Sequence, residues 1–164
     1  MIDRVIRVLF ICTANICRSP SAEGMFLQRV AQAGLSDRIK LDSAGTHDFH
    51  VGDAPDPRAQ QAATRRGYDL SRLRGRQVIR RDCIEFDYVL AMDQMNLKSL
   101  KPICPPEHAW KLRLFMEFAP NAAALEVPDP YIGTEEDFES MLDMLEAAAD
   151  GLLAHLREEL EARS

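Results

Sequence analysis

Cys12 and Arg18 are separated by Thr13-Ala14-Asn15-Ile16-Cys17, and Ser19-Pro20 follow directly. A cysteine and an arginine at this spacing can close a loop around one phosphate. The loop's backbone N–H groups face the phosphate oxygens, and the guanidinium fork grips two of them. The cysteine sulfur then sits beneath, aimed at phosphorus. The surroundings support this reading. The apolar run Val8-Leu9-Phe10-Ile11 precedes the loop as a strand candidate. Ser19 reads as a helix N-cap with Pro20 at the first helical position. Strand, loop and helix N-terminus together form a geometry that collects anions.

At a helix N-terminus beside Arg18, Cys12 is expected as a thiolate. Attack on phosphorus gives a phosphocysteine. Charge on the transferring group is held by Arg18 and by the N–H groups of Thr13, Ala14, Asn15, Ile16, Cys17 and Arg18 itself. Ser19 is placed to donate a hydrogen bond to the sulfur, making it a better leaving group in the second step. Asn15 suits the left-handed conformation that a tight loop requires. The leaving oxygen needs a proton, which calls for a carboxylic acid on a loop that reaches the phosphate. Asp56 and Asp129 each stand between two prolines, which restrict the backbone and so fix the carboxylate. Each also reads as an ordinary turn aspartate, and the pattern does not choose between them.

The elements that must position these groups alternate. Residues 5–11, 39–43, 86–92 and 111–115 read as strands. Residues 19–33, closed by Gly34, and residues 58–66, 76–83 and 93–101 read as helices. A long polar loop precedes Pro57. Phe138, Met141, Leu142, Leu145, Ala149, Leu152, Leu156 and Leu160 recur at three- and four-residue steps and mark a long final helix. Thr134 and Asp137 resemble its capping box. Strands alternating with helices imply an α/β fold, a three-layer sandwich whose four-stranded parallel sheet has helices on both faces and its phosphate loop after the first strand. Ligands of such sheets bind beyond the strand C-termini, where Cys12, Ser43 and Asp93 all fall.

At 164 residues the chain suits one domain spanning residues 1–164. No apolar stretch approaches membrane-spanning length, and no membrane partner is expected. Charges interleave with apolar residues over residues 1–7, which argues against a signal peptide. A cytoplasmic location with reduced thiols is the default. Cys12, Cys17, Cys83 and Cys104 lack the spacing of a zinc site, and His47 and His50 have no matching pair nearby. No metal and no cofactor is expected. The net charge of −6 argues against nucleic-acid binding. The acidic C-terminal stretch reads as the solvated face of a helix. Arg72, Arg74, Arg76, Arg80 and Arg81 read as a solvated surface able to attract anionic substrates.

Residues 12–18 with Ser19-Pro20, Asp42-Ser43-Ala44-Gly45-Thr46, Ala91-Met92-Asp93 with Asn96, and Asp129-Pro130-Tyr131 occur in this order. Together they resemble the low-molecular-weight protein tyrosine phosphatases over nearly the whole chain. The resemblance implies that Asp129 is the general acid and later the base that activates water. It implies that Asn15, Ser19 and Ser43 support the loop, and that Phe49 and Tyr131 wall a slot deep enough to favour phosphotyrosine. Cys17 resembles a second loop cysteine, either a disulfide partner for Cys12 under oxidation or a small buried filler. The implied partner is a phosphotyrosine protein, in bacteria an autophosphorylating tyrosine kinase linked to polysaccharide export. Phosphate would be product and competitive inhibitor.

The chain departs from the family pattern in three places. No histidine precedes Gly75-Arg76-Gln77, Ile132 follows Tyr131 where a second aromatic is common, and Thr13-Ala14 varies the loop filling, with little effect expected. Two rivals share the loop. An arsenate reductase on the same fold needs a relay of closely placed cysteines, and Cys83 and Cys104 are far apart in sequence. A phosphotyrosine-binding module without turnover would not need Cys12, Arg18 and Asp129 together.

Overall fold

The computed structural model describes residues 4–162; Met1, Ile2 and Asp3 of the charged start, and Arg163 and Ser164, lie outside the described residues. Strand β1 (Ile6–Cys12) is buried on both faces except at Arg7, which explains its nearly unbroken apolar run. It leads through the phosphate loop into helix α1 (Arg18–Gln32), followed by β2 (Ile39–Gly45), α2 (Pro57–Arg65) and α3 (Arg80–Glu85). Then come β3 (Tyr88–Ala91), α4 (Gln94–Leu100), β4 (Leu112–Leu114) and the long α5 (Glu135–Ala162).

The four strands form one parallel sheet in the order β2-β1-β3-β4, with Cys12 opposite Gly45 and Ile11 opposite Ala91. Side chains of β1 alternate between two cores. Ile6, Val8, Phe10 and Cys12 join α1, α2 and α5, whereas Leu9 and Ile11 join Val89, Ala91 and Leu100 on the other face. Phe10 packs edge-on against Phe26 and Phe115, with ring centroids 5.9 and 5.1 Å away. Truncating such a side chain to alanine costs about 3–5 kcal/mol. Helices α1 and α4 leave neighbouring strands toward opposite faces, so a crevice opens between β1 and β3 at their C-terminal ends. The chemistry-bearing residues collect there.

Several expected elements differ in extent. The stretch 76–83 is not one helix. Its first part runs beside β2, where Gly45 N–H donates to Arg76 O (2.8 Å) and Val78 N–H to Gly45 O (2.8 Å). Only Arg80–Glu85 is helical, with Asp82 accepting from Ile79 N–H at 2.8 Å. Strand β3 is shorter than residues 86–92 because Phe86 N–H still closes α3 on Asp82 O. Thr134 N–H donates to Asp137 Oδ2 (2.7 Å), the side-chain half of the expected box ahead of α5.

The acidic face of α5 is not simply solvated. Glu139, Asp143 and Glu146 converge on Arg66, and Asp150 on Arg29. Pairs whose carboxylates lie open to solvent, as those of Asp143 and Asp150 do, contribute about 0–1 kcal/mol each. The apolar stripe from Phe138 to Leu160, buried along its whole length, therefore holds α5 in place. Among the described residues no helix is long and apolar enough to cross a membrane.

Candidate active site

Cys12 ends β1 and Arg18 begins α1, so the five residues between them must turn the chain sharply. Asn15 makes the turn with φ of 59°, a left-handed conformation that asparagine tolerates better than most side chains. The loop lies on Gly45 of β2. A Cβ there would come within 2.7 Å of Thr13 O and 3.1 Å of His47 O, so only glycine fits.

The side chain of Asn15 ties the loop to three other segments. Its Oδ1 accepts from Arg76 N–H (3.0 Å), so its amide nitrogen must face the other way. That nitrogen donates to Ser43 Oγ (3.0 Å) and Ser19 Oγ (2.7 Å). The Ser43 hydroxyl donates in turn to Glu23 Oε1 at 2.6 Å. With its lone pairs facing Asn15, the Ser19 hydroxyl is free to donate to Cys12 Sγ, 3.0 Å away. Asn15 N–H reaches the same sulfur at 3.3 Å. The sulfur thus sits under two donors, and the direction of the Ser19 hydroxyl among them traces back to the Arg76 N–H. Burial pushes the Glu23 carboxyl above its usual range, against the Ser43 hydrogen bond.

Ser19 is not the N-cap. Cys17 occupies that position without a side-chain cap bond, and Ser19 lies inside the first turn. Its hydroxyl is recruited by the sulfur and by Asn15, which outweighs its local preference for capping. With no histidine before Gly75, Asn15 is held by the Arg76 backbone, and Ser43 is held by Glu23.

Arg18 is 1% exposed. Its Nη1 donates to Asp93 Oδ2 (2.6 Å) and Val127 O (2.9 Å). Asp93 caps α4 through Asn96 N–H (2.8 Å), so its second oxygen is committed. Nη2 reaches Thr13 Oγ1 at 3.4 Å and lies 3.7 Å from Asp129 Oδ2, and the buried Nε has no partner within the protein. One edge of the guanidinium is fixed, leaving Nε and most of Nη2 for a ligand. Thr13 does more than was expected of it, since its hydroxyl also accepts from Asn96 Nδ2 at 3.1 Å.

A pocket of about 340 Å³ opens above the loop, lined by Cys12, Thr13, Ala14, Ile16, Cys17, Arg18, Phe49, His50, Asp129 and Tyr131. Asn15 and Ser19 lie behind this wall and support it. Phe49 stacks on His47 with centroids 4.9 Å apart, and Tyr131, two residues past Asp129, faces His50. The two carboxylates that the sequence left open are now distinct. Asp56 caps α2 and is bound by Arg58, whose hydrogen bond holds its carboxyl below the usual range. A group held ionised is a poor proton donor. Asp129 is half-exposed at the pocket and, among the described residues, accepts only Tyr131 N–H (3.1 Å) besides the longer contact with Arg18. Among the described residues no three His, Cys, Asp or Glu side chains converge as a group able to hold a metal ion.

The family model described as low molecular weight phosphotyrosine protein phosphatase matches residues 7–162. The chain belongs to this family. A low molecular weight protein-tyrosine-phosphatase of Streptomyces coelicolor is 44% identical over 161 residues, which is 96% of this chain and 98% of that one. A Schizosaccharomyces pombe member is 40% identical over 134 residues, covering 81% and 85% of the two chains. A crystal structure of an Entamoeba histolytica protein tyrosine phosphatase with Hepes in the active site superimposes with a TM-score of 0.91 at 36% identity, covering 94% of this chain and 98% of that one. The chain is accordingly an enzyme of the protein-tyrosine-phosphatase class.

Asp93, Glu23, Arg58 and His50 complete the surroundings of the pocket, and none was assigned a role from the sequence. Asp93 carries a legible signal, an aspartate at the end of an apolar strand. The others make their contacts across 20 or more residues or at the pocket mouth. Cys83 and Cys104, distant in sequence, meet in the fold. Burial, and then the hydrogen bond with Cys104, push the Cys83 thiol up to about 12. Neither lines the pocket.

Proposed function

We propose that this enzyme hydrolyses phosphotyrosine in proteins, and small aryl phosphates, as a single catalytic domain working through a phosphocysteine on Cys12. The observation that carries the reading is one pocket holding Cys12, Arg18 and Asp129 between Phe49 and Tyr131. Binding of the phosphate dianion is supported by the uncapped start of α1 and the free edge of Arg18.

In the first step the Cys12 sulfur attacks phosphorus, and the bond from phosphorus to the phenolic oxygen breaks. Asp129 gives its proton to that oxygen. In the second step Asp129 takes a proton from water as the water oxygen attacks phosphorus. The P–S bond breaks, inorganic phosphate leaves, and Cys12 keeps the electron pair. The Ser19 hydroxyl, 3.0 Å from the sulfur, stabilises it as the departing group. The aromatic walls set the depth of the slot, so the long phenyl phosphate reaches the sulfur more readily than the short phosphoserine arm.

The test is hydrolysis of para-nitrophenyl phosphate and a phosphotyrosine peptide without added metal. Cys12→Ser should abolish turnover, and Asp129→Asn should lower kcat/KM on the peptide about 10²–10³-fold. A rapid acid quench of the wild type should trap phosphate on Cys12. An Asp129→Asn variant with wild-type rates would overturn the acid assignment. A wild type that binds the phosphopeptide without cleaving it would overturn the hydrolytic reading.

A further inference from the structure

Residues 128–133 carry the general acid, yet among the described residues their backbone receives only one hydrogen bond from outside the segment. Arg58 Nη2 donates it to Tyr131 O at 2.8 Å. The same guanidinium binds both oxygens of Asp56, with Nε 3.1 Å from Oδ1 and Nη2 2.8 Å from Oδ2. Its Cζ lies 5.5 Å from the Tyr131 ring centroid and 4.9 Å from that of Phe138 on α5.

Asp56 is in turn tied to the phosphate loop, since its backbone N–H donates to Ile16 O at 2.9 Å. At the other end, Tyr131 N–H donates to Asp129 Oδ1 at 3.1 Å. An unbroken series of contacts therefore runs from Ile16, through Asp56, Arg58 and Tyr131, to the carboxyl of Asp129.

We propose that Arg58 is the positioning residue for the general acid, setting the height of Asp129 over the phosphate loop by clamping Tyr131 to the N-terminus of α2. This rests on Asp129 being the acid. Arginine suits the task because its fork binds a carboxylate in two places while a third direction and a flat face remain for Tyr131. A lysine offers one point charge and cannot span both partners. An isolated surface ion pair with Asp56 would matter little. The backbone acceptor and the two rings convert this pair into a geometric constraint on a catalytic loop.

The test compares leaving groups. Para-nitrophenolate leaves with little help from an acid, whereas phenolate needs the proton, and kcat/KM reports the step in which that proton moves. Arg58→Met should lower kcat/KM about tenfold on phenyl phosphate and no more than about twofold on para-nitrophenyl phosphate. In an Asp129→Asn background the same substitution should cost less than about twofold on either substrate, because the group it positions is gone. Arg58→Lys should show the same pattern more weakly. Equal losses on both substrates that persist in the Asp129→Asn background would overturn the proposal.

If Arg58→Met does not fold, Asp56→Asn carries the test. It keeps the helix cap and the arginine while weakening the anchor, and should show the same dependence on leaving group. A loss independent of leaving group would again overturn the proposal. Equal losses on both substrates in Asp129→Asn alone would instead overturn the acid assignment, and this inference with it.

Discussion

Cys12, Asn15, Arg18 and Ser19 are each no more than 2% exposed, whereas the side chain of Asp129 is 50% exposed and Ile132 is 95% exposed. The two halves of one pocket are thus built differently. The Cys12–Arg18 loop is wedged between β2 and α1, with the side chains of Thr13, Asn15 and Ser19 each held by a named partner. The acid loop stands on its stem at Val127, whose N–H donates to Met92 O at 2.8 Å, and on Arg58. The half that holds the proposed nucleophile is preorganised by the core, and the half that holds the proposed acid is placed by surface contacts. Fixed donors around the sulfur need no rearrangement during reaction, while the exposed side leaves room for the proposed protein-borne phosphotyrosine.

This contrast breaks first at Asn15. Asn15→Ala removes three hydrogen bonds and leaves an alanine at positive φ. It should lower kcat/KM about 10²-fold and destabilise the fold by about 2–4 kcal/mol, read by activity assay and denaturant unfolding. Asp129→Asn, with comparable kinetic damage, should leave unfolding within about 0.5 kcal/mol of wild type. Equal destabilisation by the two would erase the distinction between the halves.

Cys17 sharpens the comparison from inside the buried half. Burial, and then the nearby Asp56 carboxylate, push its thiol well above the ordinary range. It should therefore stay protonated while peroxide oxidises Cys12 to a sulfenic acid. Cys17 then displaces water to form a disulfide with Cys12. A thiol reductant should restore activity to peroxide-treated wild type and fail to restore Cys17→Ser. Equal recovery of both would leave Cys17 as a packing residue.

The smallest effect belongs to Asp56. Its carboxyl is held below its ordinary value of 3.8 by the Arg58 hydrogen bond, which is present only when Asp56 is ionised. That contribution is complete above 3.8 and is lost as pH falls through the lower value of the folded state. Wild type should therefore exceed Asp56→Asn in thermal stability near neutrality, with the gap closing below about pH 3.8.

Much of the buried half was legible in the sequence because its parts are contiguous. A strand, five loop residues and a helix start can be read from one window. Ser19 was misread as a cap from that same window, because the sulfur that claims its hydroxyl lies seven residues back along a turn. The proposed acid was not legible from local pattern, because Asp56 and Asp129 share the same proline flanks; the family resemblance at Asp129-Pro130-Tyr131 pointed to one of them, and their partners now set the two apart. Arg58 offered no signal at all, since its role depends on Tyr131, 73 residues away. The acidic face of α5 looked solvated for the same reason, its arginines lying on α1 and just past the end of α2.

Asn15 joins two properties that most proteins can adjust separately. Glycine would accept its backbone angle but supplies no amide, and aspartate would accept from Arg76 but has no protons for Ser19 and Ser43. Loop shape and sulfur environment therefore cannot be tuned independently at this position. Any variant library built around the loop will find Asn15 immovable, and changes in reactivity will have to enter through the acid loop or the rim.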